Sequence, residues 1–481
     1  MLAFGCKPAR ETPLKNQVQD KIDSYISEYV NRVSIAGLAV AITRNDSVIY
    51  SNAFGYRDFE KKEPMKVNYF FHWASVSKTF VGTAVMQLVE QKKLRLDEKL
   101  ITYLPYFKLN DPNYKSITLR QMLNHTSGFG DVDDYEWDKP QYDEGAPERY
   151  ARSLANDKML FAPCTNWRYS NTAYEVLGVL ITKVSGMPFE TYIKKNIFEP
   201  LGMTTTSFIY PEIPDSVRVK GHIWADEPLV SKVYPYNRIH APSSTLNSNV
   251  PEMTHYAMAN LHRGEYHGKR ILADSSYNVL WANSVNMKEK PAIGVSWWLS
   301  ERQGEKTVSH GGGDTGFRSY LLLVPEKNIS IEIASNYELT HTGTLASALL
   351  ALVLNKQPEV IKHGIGFGFA EVLKKKGLDS AKAFYQKINA DTAQNKYWEK
   401  DEEAMTYPGF LLLEEKMYDD ALTLFKYNLE LHPTSGDAYG NLARAYAKAG
   451  DKKLSAENFK KAIALLPKDE DLKEELRKVE H

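Results

Sequence analysis

Ser75 and Lys78 stand three positions apart, a spacing at which a serine and a lysine can do chemistry together. A serine hydroxyl is a poor nucleophile until a base takes its proton, and lysine is such a base only where desolvation or nearby cations keep it neutral. On a helix this spacing puts both side chains on one face. No other serine in the chain has a lysine three positions later. The pattern alone also fits an exposed pair at the start of an ordinary helix.

The element that must position this pair is predicted to be a helix that begins at Ser75 and ends near residues 91–93. Its apolar positions recur with helical spacing at Val81, Ala84, Val85, Leu88 and Val89. Such a helix would hold the pair on a rigid support, and the backbone amides at its start could stabilise a developing anion.

The segments before the pair predict a mixed α/β layer structure. Residues 17–33 have the periodicity of an amphipathic helix, and residues 37–43 and 48–54 read as a β-hairpin. After the pair, helical patterns alternate with turns, and residues 131–150 form an acidic, aromatic segment. This segment fits either the rim of an active site or a solvated loop.

Two further motifs offer polar groups for a cleft. Tyr169 and Asn171 come just before a helical pattern at residues 173–184, so both can point into one cleft. Residues 309–316, Ser-His-Gly-Gly-Gly-Asp-Thr-Gly, match the dinucleotide pattern Gly-x-Gly-x-x-Gly, but that site needs a helix after the glycines. Residues 317–334 instead read as two strands joined by a turn. The nucleotide interpretation is therefore rejected, and the glycines predict close approach of a ligand to a strand.

Together these motifs resemble those of the penicillin-recognising serine hydrolases, the β-lactamases and penicillin-binding proteins, and in particular the class C β-lactamase-like and esterase or D-peptidase branch. The motif residues are Ser75, Lys78, Tyr169, Asn171 and His310-Gly311-Gly312. Further fragments follow the family's order at residues 93–97, 117–120, 125–128, 198–203 and 335–336. The resemblance implies an α+β fold, with an antiparallel sheet flanked by helices and a helical subdomain.

The resemblance also implies a role for each motif residue. Ser75 would attack a carbonyl and become acylated, with Lys78 as the neutral base or proton relay. Tyr169 would pass a proton to the leaving group and later activate water, which requires a cationic neighbour such as Lys78 to lower its pKa. Asn171 would hold the acyl side chain or the lysine. The amides of Ser75 and Gly313 would form the oxyanion hole.

Two positions depart from the family pattern. His310 and Gly312 stand in the substrate-binding motif where β-lactamases have Lys-Thr-Gly, which favours an ester, a small amide or a D-amino-acid peptide as substrate over a β-lactam. A histidine that is merely hydrogen-bonded in the cleft wall remains an alternative. Cys164 replaces a glycine that relatives usually have, and we expect a small buried thiol there rather than a nucleophile.

The last part of the chain predicts an all-α domain of tetratricopeptide-like repeats. Phe425 and Pro433 recur 34 residues later as Phe459 and Pro467, which is the period of that repeat. Residues 437–467 make a good repeat, residues 406–433 a fair one and residues 370–390 a degenerate third. The repeats could bind a protein or peptide partner, or serve as a packing appendage.

Composition limits the other possibilities. The 481 residues include 60 Lys+Arg and 60 Asp+Glu, so no net charge attracts nucleic acid. Two cysteines are too few for a disulfide framework or a zinc site, and no apolar run is long enough to span a membrane. We expect no metal and no cofactor.

The first six residues, Met-Leu-Ala-Phe-Gly-Cys, are similar to the end of a bacterial lipoprotein signal. They suggest a lipid anchor at Cys6 and a location in the periplasm or cell envelope, although a terminus without this meaning fits equally well. The expected organisation is an N-terminal tail at residues 1–16, a hydrolase domain at residues 17–355 and a repeat domain at residues 356–481.

The sequence therefore favours a serine hydrolase that works through a Ser75 acyl-enzyme on a small-molecule or peptide substrate. Two alternatives remain at this point: a catalytically weak, penicillin-binding-like module that binds cell-wall peptide or a protein partner, and a class C-type β-lactamase.

Overall fold

The computed structural model describes residues 14–285 and 287–480. The suggested lipid anchor at Cys6 lies outside the described residues. The chain divides into two compact units at the junction between Pro358 and Glu359. No helix in the described part of the chain is long and apolar enough to cross a membrane.

A seven-stranded antiparallel sheet organises the first unit, and its strands lie side by side in the order 298–302, 305–314, 317–324, 329–335, 37–44, 47–58 and 63–64. The strands of this unit are β1 (Gly37–Arg44), β2 (Ser47–Asp58), β3 (Glu63–Pro64), β4 (Phe71–His72), β5 (His222–Ile223), β6 (Leu229–Val230), β7 (Asn247–Ser248), β8 (Glu265–Tyr266), β9 (Lys269–Arg270), β10 (Trp298–Arg302), β11 (Glu305–Asp314), β12 (Phe317–Val324) and β13 (Ile329–Ser335).

The helices of the first unit pack on this sheet and on one another. They are α1 (Leu14–Val33), α2 (Ser77–Glu90), α3 (Leu100–Tyr103), α4 (Leu119–Leu123), α5 (Ala146–Ser153), α6 (Asn171–Ser185), α7 (Phe189–Ile193), α8 (Val250–Leu261), α9 (Tyr277–Leu280) and α10 (Thr342–Val353). Helix α8 packs on β1 and β13, and α10 packs on β12 and β13. Because successive side chains of a strand point to opposite faces and every residue of β13 is buried, both faces of the sheet are covered at this central strand.

The structure confirms the predicted fold class, a mixed α+β domain followed by a helical region. One expected boundary is wrong. Ser75 lies in a 3₁₀ turn, Ala74–Val76, and α2 begins only at Ser77. Ala74 enters this turn with a left-handed backbone, at φ 46°. Apolar spacing cannot distinguish a 3₁₀ turn from the first turn of an α-helix, so the start was placed two residues early.

The second unit consists mainly of paired helices. They are α11 (Ile365–Ala390), α12 (Thr392–Asn395), α13 (Glu403–Glu414), α14 (Tyr418–Leu431), α15 (Gly436–Lys448), α16 (Lys452–Leu465) and α17 (Glu470–Glu480), with one short parallel pair of strands, β14 (His363–Gly364) and β15 (Trp398–Glu399). Phe425 and Phe459, the aromatics of the repeat pattern, are both buried. The weakest expected repeat, residues 370–390, falls within α11, where the helix is broken at Gly377 with φ 78°.

Candidate active site

Lys78 is fully buried directly behind the Ser75 hydroxyl. Its Nζ lies 3.0 Å from Ser75 Oγ, 2.6 Å from Asn171 Oδ1 and 2.8 Å from the backbone oxygen of Ser243. The 3₁₀ turn and the first turn of α2 supply the serine and the lysine, and the start of α6 supplies the asparagine. The structure thus brings three of the predicted residues into direct contact, with the carbonyl of Ser243 as a fourth member.

The acceptors around Lys78 determine how a neutral amine would sit. The carbonyl oxygens of Asn171 and Ser243 can only accept hydrogen bonds. A neutral amine has two N–H groups and one lone pair, so it would donate to both carbonyl oxygens. The lone pair would then face the remaining neighbour, the Ser75 hydroxyl. In this protonation state Lys78 is placed to accept the Ser75 proton.

Asn171 is held in the orientation that this arrangement needs. Its Nδ2 donates to Asp131 Oδ2 at 3.3 Å and to the Tyr135 hydroxyl at 2.6 Å, which leaves Oδ1 to face Lys78. Its backbone N–H also donates to Asp131 Oδ1, at 2.8 Å. The Ser170 hydroxyl caps α6 by accepting from the backbone N–H of Ala173 at 3.1 Å. The acidic, aromatic segment therefore contributes Asp131 and Tyr135 to this site.

Burial lowers the pKa of Lys78 from its usual value near 10.5 to about 8. Desolvation disfavours the charged amine, whereas the carboxylates of Glu175, Asp314 and Asp131 act in the opposite direction and limit the shift. A substantial fraction of Lys78 is therefore neutral near pH 8, as a general base requires.

Tyr169 lies between two other rings. It stacks on His125, with ring centroids 4.2 Å apart, and is nearly parallel to Trp298 at 6.2 Å. Its hydroxyl is hydrogen-bonded to Ser75, and Lys78 Nζ is 5.0 Å from the centre of its ring. The expectation that Lys78 lowers the pKa of this phenol is wrong: burial raises the pKa well above 10. Tyr169 is thus a protonated phenol at neutral pH.

His310 lines the cleft as a neutral imidazole. Its Nδ1 lies 2.7 Å from the carbonyl oxygen of Gly311, and a carbonyl can only accept, so Nδ1 carries the hydrogen and Nε2 is left as an acceptor. Burial lowers the pKa of His310 to about 3. At this position the cleft therefore has no positive charge to bind a substrate carboxylate.

Gly312 allows β11 to lie against the turn that carries Ser75. A Cβ atom at Gly312 would stand 2.3 Å from the backbone oxygen of Trp73 and 2.4 Å from Ser319 Oγ, so no other residue fits. Strand β10 pairs with β11 only as far as Ser309, which leaves Gly313 on an uncovered edge next to this turn. The glycines thus place an open strand edge beside the nucleophile.

A cleft of about 650 Å³ runs from these groups along the sheet. Its lining includes Ser75, Tyr169 and His310, together with the aromatic side chains of Trp298 and Tyr320. Among the described residues, no group of three or more histidine, cysteine or carboxylate side chains is arranged to hold a metal ion.

Residues 22–355 match the family described as Beta-lactamase. This chain belongs to the beta-lactamase family. Its members, the β-lactamases, related esterases and penicillin-binding proteins, are serine hydrolases, and the resemblance predicted from the motifs is confirmed. Residues 412–474 match the tetratricopeptide repeat, which confirms the repeat character of the second unit.

Individual relatives of this beta-lactamase family member come from Staphylococcus aureus and Bacillus subtilis. The chain is 26% identical to Protein flp of Staphylococcus aureus (strain COL) over 344 residues, which cover 71% of this chain and 68% of the relative. It is 28% identical to Penicillin-binding protein 4* of Bacillus subtilis (strain 168), over 62% of this chain and 68% of the relative.

Solved structures show the same fold. An octameric penicillin-binding protein homologue from Pyrococcus abyssi superposes with a TM-score of 0.64 at 27% identity, covering 74% of this chain and 81% of that chain. A class C beta-lactamase, at 18% identity, has a TM-score of 0.61 over 71% of this chain and 98% of that chain. EstCE1, a hydrolase with promiscuous acyltransferase activity, has a TM-score of 0.58 at 21% identity, over 71% of this chain and 100% of that chain.

Cys164 of this beta-lactamase family domain does not fill a buried space. The thiol is exposed, and Gln121 Nε2 donates to it at 3.2 Å. The backbone at Cys164 is left-handed, with φ 64°. A glycine suits such a backbone because it lacks a Cβ, and a side chain added there points outward from the turn rather than into the core. The expectation of a small buried thiol is therefore wrong.

Several residues that complete the site were not singled out from the sequence. Ser243 acts through its backbone oxygen, so its residue type carries no signal. Asp131 and Tyr135 lie in a segment whose composition also fits a solvated loop. Glu175 had a usable signal, because it is four residues after Asn171 and stands as a carboxylate in an otherwise apolar helical stripe. The structure buries Glu175 with its Oε1 2.5 Å from Ser243 Oγ.

Proposed function

We propose that this protein is a serine hydrolase that forms an acyl-enzyme at Ser75 with an ester, a small amide or a D-amino-acid peptide. The observation that carries the proposal is the placement of Lys78. It is buried, its pKa is lowered to about 8, and two obligate acceptors turn the lone pair of the neutral amine toward Ser75 Oγ.

In the acylation step, Ser75 Oγ attacks the carbonyl carbon while its proton moves to Lys78 Nζ. The carbonyl oxygen becomes an oxyanion that accepts from the backbone amides of Ser75 and Gly313. When the tetrahedral intermediate collapses, the bond to the leaving group breaks. The phenol of Tyr169 gives its proton to that group, and the ammonium of Lys78 returns a proton to Tyr169.

In the deacylation step, a water molecule attacks the acyl carbon. A proton of the water passes to Tyr169, and the phenol proton passes to Ser75 Oγ as the acyl bond breaks. The direct hydrogen bond between Tyr169 and Ser75 supports this route. Because burial keeps the phenol protonated, Tyr169 takes up and releases a proton in the same step and does not act as a standing phenolate base.

His310 supports an ester or peptide substrate over a β-lactam. The resemblance to β-lactamases implies that a lysine at this position binds the antibiotic carboxylate, but neutral His310 offers an acceptor nitrogen there. An acceptor facing a carboxylate is repulsive, so efficient binding of that group is not expected.

The experiment compares the wild-type protein with Ser75→Ala, using a fluorophosphonate probe, p-nitrophenyl esters and nitrocefin. Ser153→Ala, at an exposed serine of α5, is the matched control. We expect labelling and ester turnover in the wild type and in Ser153→Ala, with loss in Ser75→Ala of about 10⁴-fold or more in kcat.

Three other outcomes are informative. Absence of both labelling and turnover in the wild type would count against an enzyme and favour a penicillin-binding-like binding module. Fast cleavage of nitrocefin would overturn the interpretation of His310 and favour a class C-type β-lactamase. If Ser75→Ala retained turnover, a residue other than Ser75 would be the nucleophile.

A further inference from the structure

The cleft continues well beyond the reacting groups, along the edge strand β10. From Ser75 and Tyr169 it passes Trp298 and Ser300 and reaches Arg302. These β10 residues alternate along the strand, so their side chains lie on the same face. Trp298 and Arg302 are about 13 Å apart along the strand, at about 3.3 Å per residue. The cleft therefore has room for a group much longer than the bond that is cleaved.

Arg302 is the single charged side chain among the described residues that line this cleft at neutral pH. His310 is the other side chain that could carry a positive charge, and burial lowers its pKa to about 3. Lys78 is fully buried behind Ser75 and does not line the cleft. The far end of the cleft thus carries one positive charge, and no lining carboxylate balances it.

Neutral groups hold the Arg302 guanidinium in place. Its Nη1 donates to the backbone oxygen of Gly343 at 3.1 Å, and its Nη2 donates to the Tyr320 hydroxyl at 2.7 Å, while Nε is buried with no acceptor among the described residues. The carboxylate opposite it in the β10–β11 register, Glu305, is paired with Lys327 at 3.3 Å. No ion pair involves Arg302 within the described ranges. The guanidinium is therefore fixed in position but retains its charge for an anionic ligand.

Aromatic rings line the path between the reacting groups and Arg302. Trp298 is nearly parallel to Tyr169, with 7° between the ring planes, and the Tyr320 ring centre is 5.3 Å from Arg302 Cζ. Such surfaces suit an apolar or aromatic chain. The path starts at Tyr169, which in the proposed mechanism protonates the leaving group, so the leaving group is the part of the substrate that enters it.

We propose that the cleft binds a leaving group with an extended apolar or aromatic chain whose far end is a carboxylate paired with Arg302. This inference rests on the proposed function, because that function identifies the bound group as the leaving group. A carboxylate carries a single negative charge, which matches the one guanidinium, whereas a phosphate monoester carries nearly two.

The test uses two esters with leaving groups of equal length. One is the acetate ester of 5-(4-hydroxyphenyl)pentanoic acid, and the other is the acetate ester of the corresponding carboxamide, which has no charge. The ratio of their kcat/KM values is measured at low salt for the wild type, Arg302→Gln and Arg44→Gln. Arg44, at the exposed end of β1, is the matched control for loss of one positive charge. Binding of the two free phenols to Ser75→Ala is measured by calorimetry.

We expect the wild type and Arg44→Gln to favour the carboxylate by about tenfold, the effect of one charge-assisted hydrogen bond, and Arg302→Gln to bring the ratio close to one. The binding preference should follow the same pattern when Arg302→Gln is added to Ser75→Ala. A wild-type ratio near one would overturn the inference. So would equal loss for both esters in Arg302→Gln, because that is the result of a purely structural arginine.

The calorimetry separates this inference from the proposed function. If neither ester is hydrolysed but the carboxylate phenol binds more tightly in an Arg302-dependent manner, the proposed function fails and the subsite stands. If both esters are hydrolysed in a Ser75-dependent manner without preference in rate or binding, the proposed function stands and the subsite is rejected.

Discussion

Lys78 and Glu332 are both fully buried ionisable side chains of the β-lactamase-family domain, but their surroundings differ. Lys78 Nζ has three oxygen neighbours within 3.0 Å, one for each hydrogen of an ammonium group. Neither carboxylate oxygen of Glu332, on β13, has a hydrogen-bond partner among the described residues. The Ser330 hydroxyl on the same face of the strand, which is also bonded to Thr43 at 2.5 Å, opposes the rise in the pKa of Glu332 without cancelling the effect of burial.

Because of this difference, the two groups have different charge states at neutral pH. Burial disfavours both charged forms. The pKa of Lys78 falls only to about 8, because nearby carboxylates support the ammonium. The pKa of Glu332 rises to about 8, so the carboxyl is mostly neutral at pH 7. With partners, the buried Lys78 amine keeps most of its charge at neutral pH although burial opposes it. Without such support, the buried Glu332 carboxyl stays mostly neutral, and its ionisation opposes folding.

Among the substitutions that test this comparison, Lys78→Met is expected to have the largest effect on activity. The substitution removes the base beside Ser75, so kcat/KM for a p-nitrophenyl ester at pH 8 should fall at least about 10³-fold. Lys78→Arg should lose a similar amount, since a guanidinium stays protonated and cannot accept the Ser75 proton. Lys93→Met, at an exposed lysine just after α2, is the control for loss of a charge.

Thermal melting of each variant checks that it folds. If Lys78→Arg retains most of the activity, a positive charge is what the site needs, and the base role of Lys78 is wrong.

Glu332→Gln should change stability in a pH-dependent way. The folded-state pKa is about 8, above the usual glutamate value near 4.5, so the folded protein holds a proton that the unfolded chain loses between these values. The contribution of Glu332 to wild-type stability should therefore be fully present below about pH 4.5 and should be lost as pH rises through 8. The decline from this one group should be up to about 5 kcal/mol.

The glutamine cannot ionise, so the melting temperature of Glu332→Gln should gain on the wild type as pH rises from 5 to 9. Glu199→Gln, at an exposed position, should show no such gain. A constant difference across this pH range would mean that Glu332 has a partner or a water molecule that supports its charge.

The two sites also differ in what the sequence revealed about them. Residue types, spacing and family resemblance predict Ser75, Lys78, Tyr169, Asn171 and His310, and the structure brings them together at one site, with Lys78 and Asn171 behind the cleft surface. The Ser243 carbonyl could not be named, because a backbone oxygen belongs to every residue type. The tight 3₁₀ turn at Ala74 and the outward-pointing thiol of Cys164 depend on left-handed backbone conformations, which side-chain patterns do not encode.

Glu332 shows the same limit within the sheet. The run Ile-Ser-Ile-Glu-Ile-Ala-Ser at residues 329–335 alternates apolar and polar residues, which is the pattern of a strand with one face in water. In the structure both faces of β13 are buried, because helices cover each side. The strand was predicted from its own residues, but the burial of its polar face depends on elements distant in the chain.

A moderate effect is expected from pH on the wild-type rate. Only neutral Lys78 can accept the Ser75 proton, so kcat/KM should rise about tenfold per pH unit well below pH 8 and level off above it, which is about 50-fold between pH 6 and pH 8. Tyr169 should add no falling limb below pH 10, since burial keeps its phenol protonated. Ester hydrolysis from pH 5.5 to 9.5, corrected for Ser75→Ala, measures the profile. A flat profile would show that Lys78 does not act as the base.

The smallest effect is expected from Glu175→Gln, which changes the surroundings of Lys78 without touching it. Glu175 is the first of the three carboxylates that support the Lys78 ammonium, ahead of Asp314 and Asp131. Its Oε1 is 2.5 Å from Ser243 Oγ and 3.0 Å from His240 Nδ1. A glutamine oxygen can keep both contacts, so the substitution removes the charge but retains the position of the Ser243 carbonyl.

Loss of this charge should lower the pKa of Lys78 and move the rising limb of the pH profile to lower pH by less than about one unit. The result is a several-fold gain in kcat/KM at pH 6.5 and almost none at pH 9. Glu199→Gln serves again as the control for charge. The histidines facing Lys78, His125 and His310, stay neutral over this range because burial lowers the pKa of each, so they should not mask the shift. The result would contradict this prediction if the rising limb of the pH profile moved to higher pH, or if it moved equally in Glu199→Gln. Either outcome would show that the charge of Glu175 does not help to set the pKa of Lys78.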